Sequence, residues 1–94
     1  MSKRDRAAQT PHTDAFRAWL GVAIKETGSA PATVARAIGA SVNSVGAFLN
    51  DPNRDITLSR AANLERHLRA SAQTQGKTLP AIREMMSAAG ARHA

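Results

Sequence analysis

The sequence predicts a compact all-α bundle of five helices, on three observations. Apolar residues recur every three or four positions along most of the chain, and no strand-like alternation of any length interrupts them. Helix-breaking positions at Gly28, Pro31, Gly39, Pro52, Gly76 and Pro80 divide that periodic pattern into five stretches. The composition is 43% apolar but includes only Phe16, Trp19 and Phe48 as aromatics, so the core must come from Leu, Ile, Val and many alanines, which suits closely packed helices. A chain of 94 residues makes one domain, without room for a large enclosed catalytic cleft.

The elements follow in order. Residues 1–12 are polar and basic with no apolar period, and a flexible arm is expected there, ahead of a single helical domain over residues 13–90. Thr13 is the expected cap of a first helix in which Phe16, Trp19, Leu20, Ala23 and Ile24 share a side, ended by Gly28 and Ser29. Pro31 suits the first turn of a short second helix with Val34, Ala35 and Ile38 inward, broken at Gly39. Ser41 is the expected cap of a third helix from Val42 to Asn50, followed by the loop-forming run Asp51 to Asp55. Thr57 caps a fourth helix whose Leu58, Ala61, Leu64, Leu68 and Ala72 lie broadly on one side, with Glu65 placed to pair with Arg69. Thr78 and Pro80 open a fifth helix, expected over residues 79–89, that carries Leu79, Ile82, Met86 and Ala89.

Charge narrows the partners. The formal charge of +6 and a sequence pI near 11.4 point to a polyanion, with double-stranded DNA ahead of a membrane surface. No segment reaches the roughly 18–20 unbroken apolar residues of a spanning helix, and the first thirteen residues lack a signal-peptide core. With no cysteine for disulfides, a cytoplasmic location is expected.

The spacing of Ala35, Gly39, Val45 and Phe48 has a mechanical meaning. A small residue lets two helices cross closely, glycine supplies the turn backbone, and two apolar residues fill the angle, which is helix-turn-helix spacing over about residues 31–50. On the third helix, Asn43, Gly46, Ala47 and Asn50 lie opposite Val45, Phe48 and Leu49, leaving a small, polar outer face. Such a face can approach base edges, with Asn43 suited to a bidentate contact with adenine and Val42 or Ala47 to a thymine methyl group. Donors for phosphate are available at Ser41, Ser44, Asn50, Asn53 and Arg54. Lys3, Arg4 and Arg6 on a tether suit counterion release.

The stretch Ala30 to Asn50, APATVARAIGASVNSVGAFLN, resembles the helix-turn-helix of the lambda-repressor-like, phage-repressor class, most closely through Val45-Gly46-Ala47-Phe48-Leu49-Asn50. The likeness implies a five-helix DNA-binding domain, extends loosely to the basic arm, and makes Asn50 the best-supported phosphate contact. It also implies a homodimer joined through the fifth helix. That helix, with Leu79, Ile82, Met85 and Met86, carries more apolar surface than a thin bundle needs. One departure stands out: the class usually has Gln at the first position of the second helix, where it touches the backbone, and here Pro31 takes that place and cannot make the contact.

Other chemistries find little support. His12, His67 and His93 are far apart and none has a carboxylate or second histidine at metal-binding spacing, so no metal and no cofactor is expected. No phosphate-cradling glycine loop, nucleophile motif or paired carboxylates point to an enzyme. The cations Arg60, Arg66, His67 and Arg69 read as a solvated face. The leading expectation is a sequence-specific transcriptional regulator. Its rival is a DNA-bound adaptor that recruits a protein partner such as a polymerase or a phage packaging component. A basic RNA-binding module ranks third, because RNA readers commonly stack unpaired bases on aromatics and all three here are expected in the core.

Overall fold

The computed structural model describes residues 11–86. Among these there are five helical segments and no strand: α1 (Pro11–Thr27), α2 (Pro31–Ala37), α3 (Ser44–Asn50), α4 (Leu58–Thr74) and α5 (82–86). The protein is an all-α bundle. The arm residues Lys3, Arg4 and Arg6, and the far end of the expected fifth helix, lie outside the described residues.

Two long helices make the frame. In α1 the stripe Phe16, Trp19, Leu20, Ala23 and Ile24 is buried, and in α4 Leu64, Leu68 and Ala72 are buried, so the two helices share one core. Val34 and Ala35 of α2, with Val45 and Phe48 of α3, close the same core from the side. Phe16 stacks on Trp19 with ring centroids 5.7 Å apart, and Phe48 tilts against Phe16 at 6.2 Å. Three aromatics thus serve the whole interior as one cluster.

The structure differs from expectation in four places. α1 begins at Pro11, so residues 11 and 12 belong to the helix rather than the arm and Thr13 sits within the first turn instead of capping it. Proline is well suited to that opening position, since its missing N–H has no helical partner there, and Asp14 adds a favourable negative charge. α3 begins at Ser44, two residues later than expected. The Ser44 amide and hydroxyl both donate to the Ser41 carbonyl, at 3.0 and 2.7 Å, so Ser41 closes a turn with its backbone and does not cap with its side chain.

Leu58 is the third departure, at 90% exposed. It precedes Leu64 by six residues, about 120° round the helix axis, and so lies off the stripe that Leu64, Leu68 and Ala72 define. Its neighbour Thr57 does cap the helix, accepting from the Arg60 amide at 3.1 Å.

The fourth departure concerns Leu79 and Pro80, which are irregular chain ahead of α5 instead of its start. Proline disfavours helical backbone in the residue before it, and two side chains hold the segment. The Trp19 indole Nε1 donates to the Pro80 carbonyl at 2.8 Å, and Arg69 Nη2 donates to the same oxygen at 3.1 Å. The Arg69 guanidinium also covers the Trp19 ring at 5.1 Å and pairs with Glu65 at 2.8 Å. Arg69 is therefore a clasp between α4, α1 and the chain leading to α5, and does not belong to a solvated face. Leu79 enters the core at 6% exposure, while Ile82 and Met85 pack against it partly buried.

Burial sets the expected costs of truncation. Leu64→Ala should destabilise the protein by about 2–5 kcal/mol in urea unfolding. Leu58→Ala should change it by no more than about 0.5 kcal/mol. Equal effects from the two would contradict the packing described.

Candidate nucleic-acid interface

α2 and α3 are seven residues each and meet across a tight turn. Gly39 makes that turn with φ at +74°, a left-handed backbone that favours glycine, and the following Ala40 amide reaches back to the Ala35 carbonyl at 2.9 Å. The helices approach closely where Gly46 faces Pro31: a Cβ on Gly46 would lie 3.9 Å from the Pro31 Cβ. Gly46 is half-buried, so it belongs to the seam between α2 and α3 rather than to an open outer face. Pro31, lacking the polar side chain and amide hydrogen that a phosphate contact would use, contributes packing at this point.

The outward surface is built mainly from the turn and the two ends of α3. Ser41, Val42 and Asn43 are exposed, Val42 at 39%, and Asn43 is the residue preceding α3. The Asn43 backbone carbonyl accepts from the Ala47 amide at 3.0 Å, whereas its side chain makes no capping bond to the helix. Ser44 and Ala47 are half-buried, and Asn50 is exposed at the far end. Val42, Asn43 and Ala47 thus share the α3 region, with the first two placed in the turn instead of on the wheel of the helix itself. Val45 and Phe48 are buried behind them.

After α3 the chain turns at Asp51-Pro52-Asn53-Arg54. The Asn53 amide donates to Asp51 Oδ1 at 2.9 Å and the Arg54 amide to the Asp51 carbonyl at 3.0 Å, with proline at the position whose fixed φ suits such a turn. Asn50, Asn53 and Arg54 are all exposed on this end of the surface. Arg54 Nε lies 4.0 Å from Asp51 Oδ2, with both side chains about half exposed, a pairing too loose to fix the guanidinium in place.

Sequence reasoning missed Arg17. Its Nε donates to the Phe48 carbonyl at 2.8 Å and its Nη2 to the Arg54 carbonyl at 2.6 Å, while Nη1 pairs with Asp14 at 3.1 Å. The guanidinium lies 4.3 Å from the centroid of the Phe48 ring, and the side chain is only 12% exposed. A signal was present: Arg17 stands three and seven residues before Leu20 and Ile24, in register with the buried stripe of α1.

The expected dimer surface is reduced. Leu79 is withdrawn into its own chain's core, and Ile82, Met85 and Met86 remain half-buried. Among the described residues no helix is long and apolar enough to cross a membrane. Comparison of the chain with protein-family models, with curated proteins and with solved structures finds no match in any of the three.

The turn carries a clean test. Beyond the two adjoining residues no atom lies within 4 Å of a Cβ built on Gly39, so Gly39→Ala meets strain in the local backbone alone and should lose about 1–2 kcal/mol of stability. Gly39→Asn should lose less, since asparagine tolerates left-handed backbone. Thermal unfolding of the two variants side by side checks the order.

Proposed function

We propose that the protein is a sequence-specific regulator of transcription that binds double-stranded DNA with α3 in the major groove, as a helix-turn-helix of the phage-repressor class. The observation that carries this reading is the exposure of Val42 and Asn43 at the start of α3, while the opposite face of that helix is buried. Small side chains there let the backbone come close to base edges. Asn43 offers adenine a donor and an acceptor, and Val42 and Ala47 offer apolar contact to thymine methyl groups. Ser41, Ser44, Asn50, Asn53 and Arg54 surround that centre and supply phosphate contacts, which position the protein without reading sequence. Lys3, Arg4 and Arg6 add attraction on a basic arm.

Two copies acting together would double the contact and match a near-palindromic operator, with half-sites about 34 Å or a multiple of it apart. Ile82, Met85 and Met86 are the residues proposed for self-contact. Selection of bound duplexes from a random pool tests specificity and symmetry at once: a defined, near-palindromic sequence is the expected outcome. Uniform binding to all sequences, with a stoichiometric protein partner in mixing experiments, would favour the adaptor reading instead.

Base reading and phosphate attraction separate under mutation. Asn43→Ala should relax preference at one base position and cost about 1–3 kcal/mol on the selected duplex, measured by binding titration against single-base variants. Replacing Lys3, Arg4 and Arg6 with glutamine should weaken binding to all duplexes alike and flatten the salt dependence, by about 0.9 in slope for each phosphate that is no longer neutralised. An unchanged slope would show that the arm takes no part.

A further inference from the structure

The end of α3 poses a hydrogen-bonding problem that the sequence creates and a distant residue solves. In a continuing helix the Phe48 carbonyl would accept from the amide of the residue four positions on. That residue is Pro52, which has no N–H to give. Arg17, thirty-one residues earlier on α1, donates to the Phe48 carbonyl through Nε at 2.8 Å. Its Nη2 reaches the Arg54 carbonyl at 2.6 Å. One planar group thus joins the last turn of α3 to the middle of the loop after it.

We infer that Arg17 is the positioning residue for the phosphate-contacting end of the interface, holding α3 and the loop at residues 51–54 as one unit so that Asn50, Asn53 and Arg54 meet the duplex in register. This rests on the DNA-binding reading above. The guanidinium is suited to the task in three respects. Its Nε and Nη2 hydrogens form a rigid fork, so the two carbonyls are fixed relative to each other. The Phe48 ring beneath it at 4.3 Å fixes the plane of the fork. Asp14, itself half-exposed, takes the remaining edge at 3.1 Å and supplies a balancing charge to the Arg17 side chain, which is only 12% exposed.

Lysine keeps the charge but presents a single ammonium without the fork or the flat face, which makes Arg17→Lys the discriminating substitution. The inference predicts that Arg17→Lys speeds amide hydrogen exchange at Asp51, Asn53 and Arg54 while Leu64 and Leu68 in α4 keep their protection. In the same variant, preference for the duplex recovered by selection over a random-sequence duplex of equal length falls on the order of tenfold. Binding to the random duplex falls less, because register matters only where bases are read. Asp14→Asn, which leaves both carbonyl bonds in place, gives a smaller loss.

Exchange at residues 51–54 that is unchanged in Arg17→Lys overturns the inference. So does faster exchange that spreads to Leu64 and Leu68, since Arg17 would then support the whole fold rather than this end of the site. Loosened amides with undiminished duplex preference overturn it as well. A wild-type chain that prefers no duplex refutes the regulator reading and the positioning role with it, and that failure is seen before any variant is made.

Discussion

Helices of seven residues do not persist in water on their own, because nucleation fixes several backbone dihedrals before any hydrogen bond repays it. α2 and α3 are both of that length, so the surface they present exists only while their inner residues stay buried. The packing of Trp19 and Leu20 in α1 with Leu64 and Leu68 in α4 is therefore the condition for everything at the turn. Val34, Ala35, Val45 and Phe48 close that core, and what they leave outside is the turn and the two ends of α3.

The short span between buried and exposed residues limits what the surface can be. Gly46 and Pro31 meet at the α2–α3 seam, where a Cβ on Gly46 would lie 3.9 Å from the Pro31 Cβ, at van der Waals contact. With the seam filled by these small groups, the outward chemistry shifts to the ends of α3. Val42 and Asn43 stand at the start, where Ser44 closes a turn on the Ser41 carbonyl, and Asn50 stands at the finish. The proposed base-reading residues are therefore set by a turn, and the proposed phosphate-contacting residues by a clamped loop.

Much of the fold is legible in the sequence because it rests on periodicity and local backbone rules. The stripes of α1 and α4, the left-handed Gly39, the Thr57 cap and the Glu65–Arg69 pair all follow from residues a few positions apart. The features that are not legible depend on partners distant in the chain. Leu79 reads as helix surface in the sequence because nothing near it reveals that Trp19 and Arg69 hold the adjacent Pro80 carbonyl. Arg69 reads as a solvated cation for the same reason. A helical wheel starts α3 two residues early because Val42 and Asn43 fit it equally well, and the wheel says nothing of a serine hydroxyl that bonds a backbone carbonyl instead. Local pattern identifies the candidate site, while the clamp that Arg17 places on it joins residues thirty-one and thirty-seven positions apart.

Trp19 is the sole tryptophan of the chain, and its indole N–H is engaged by Pro80 beneath the Arg69 guanidinium. The molecule consequently contains its own optical probe of whether the C-terminal segment is docked. Release of that segment would expose the ring and free its indole N–H from the Pro80 carbonyl, changing its fluorescence without a dye, while events confined to the far end of α3 would leave the emission largely undisturbed.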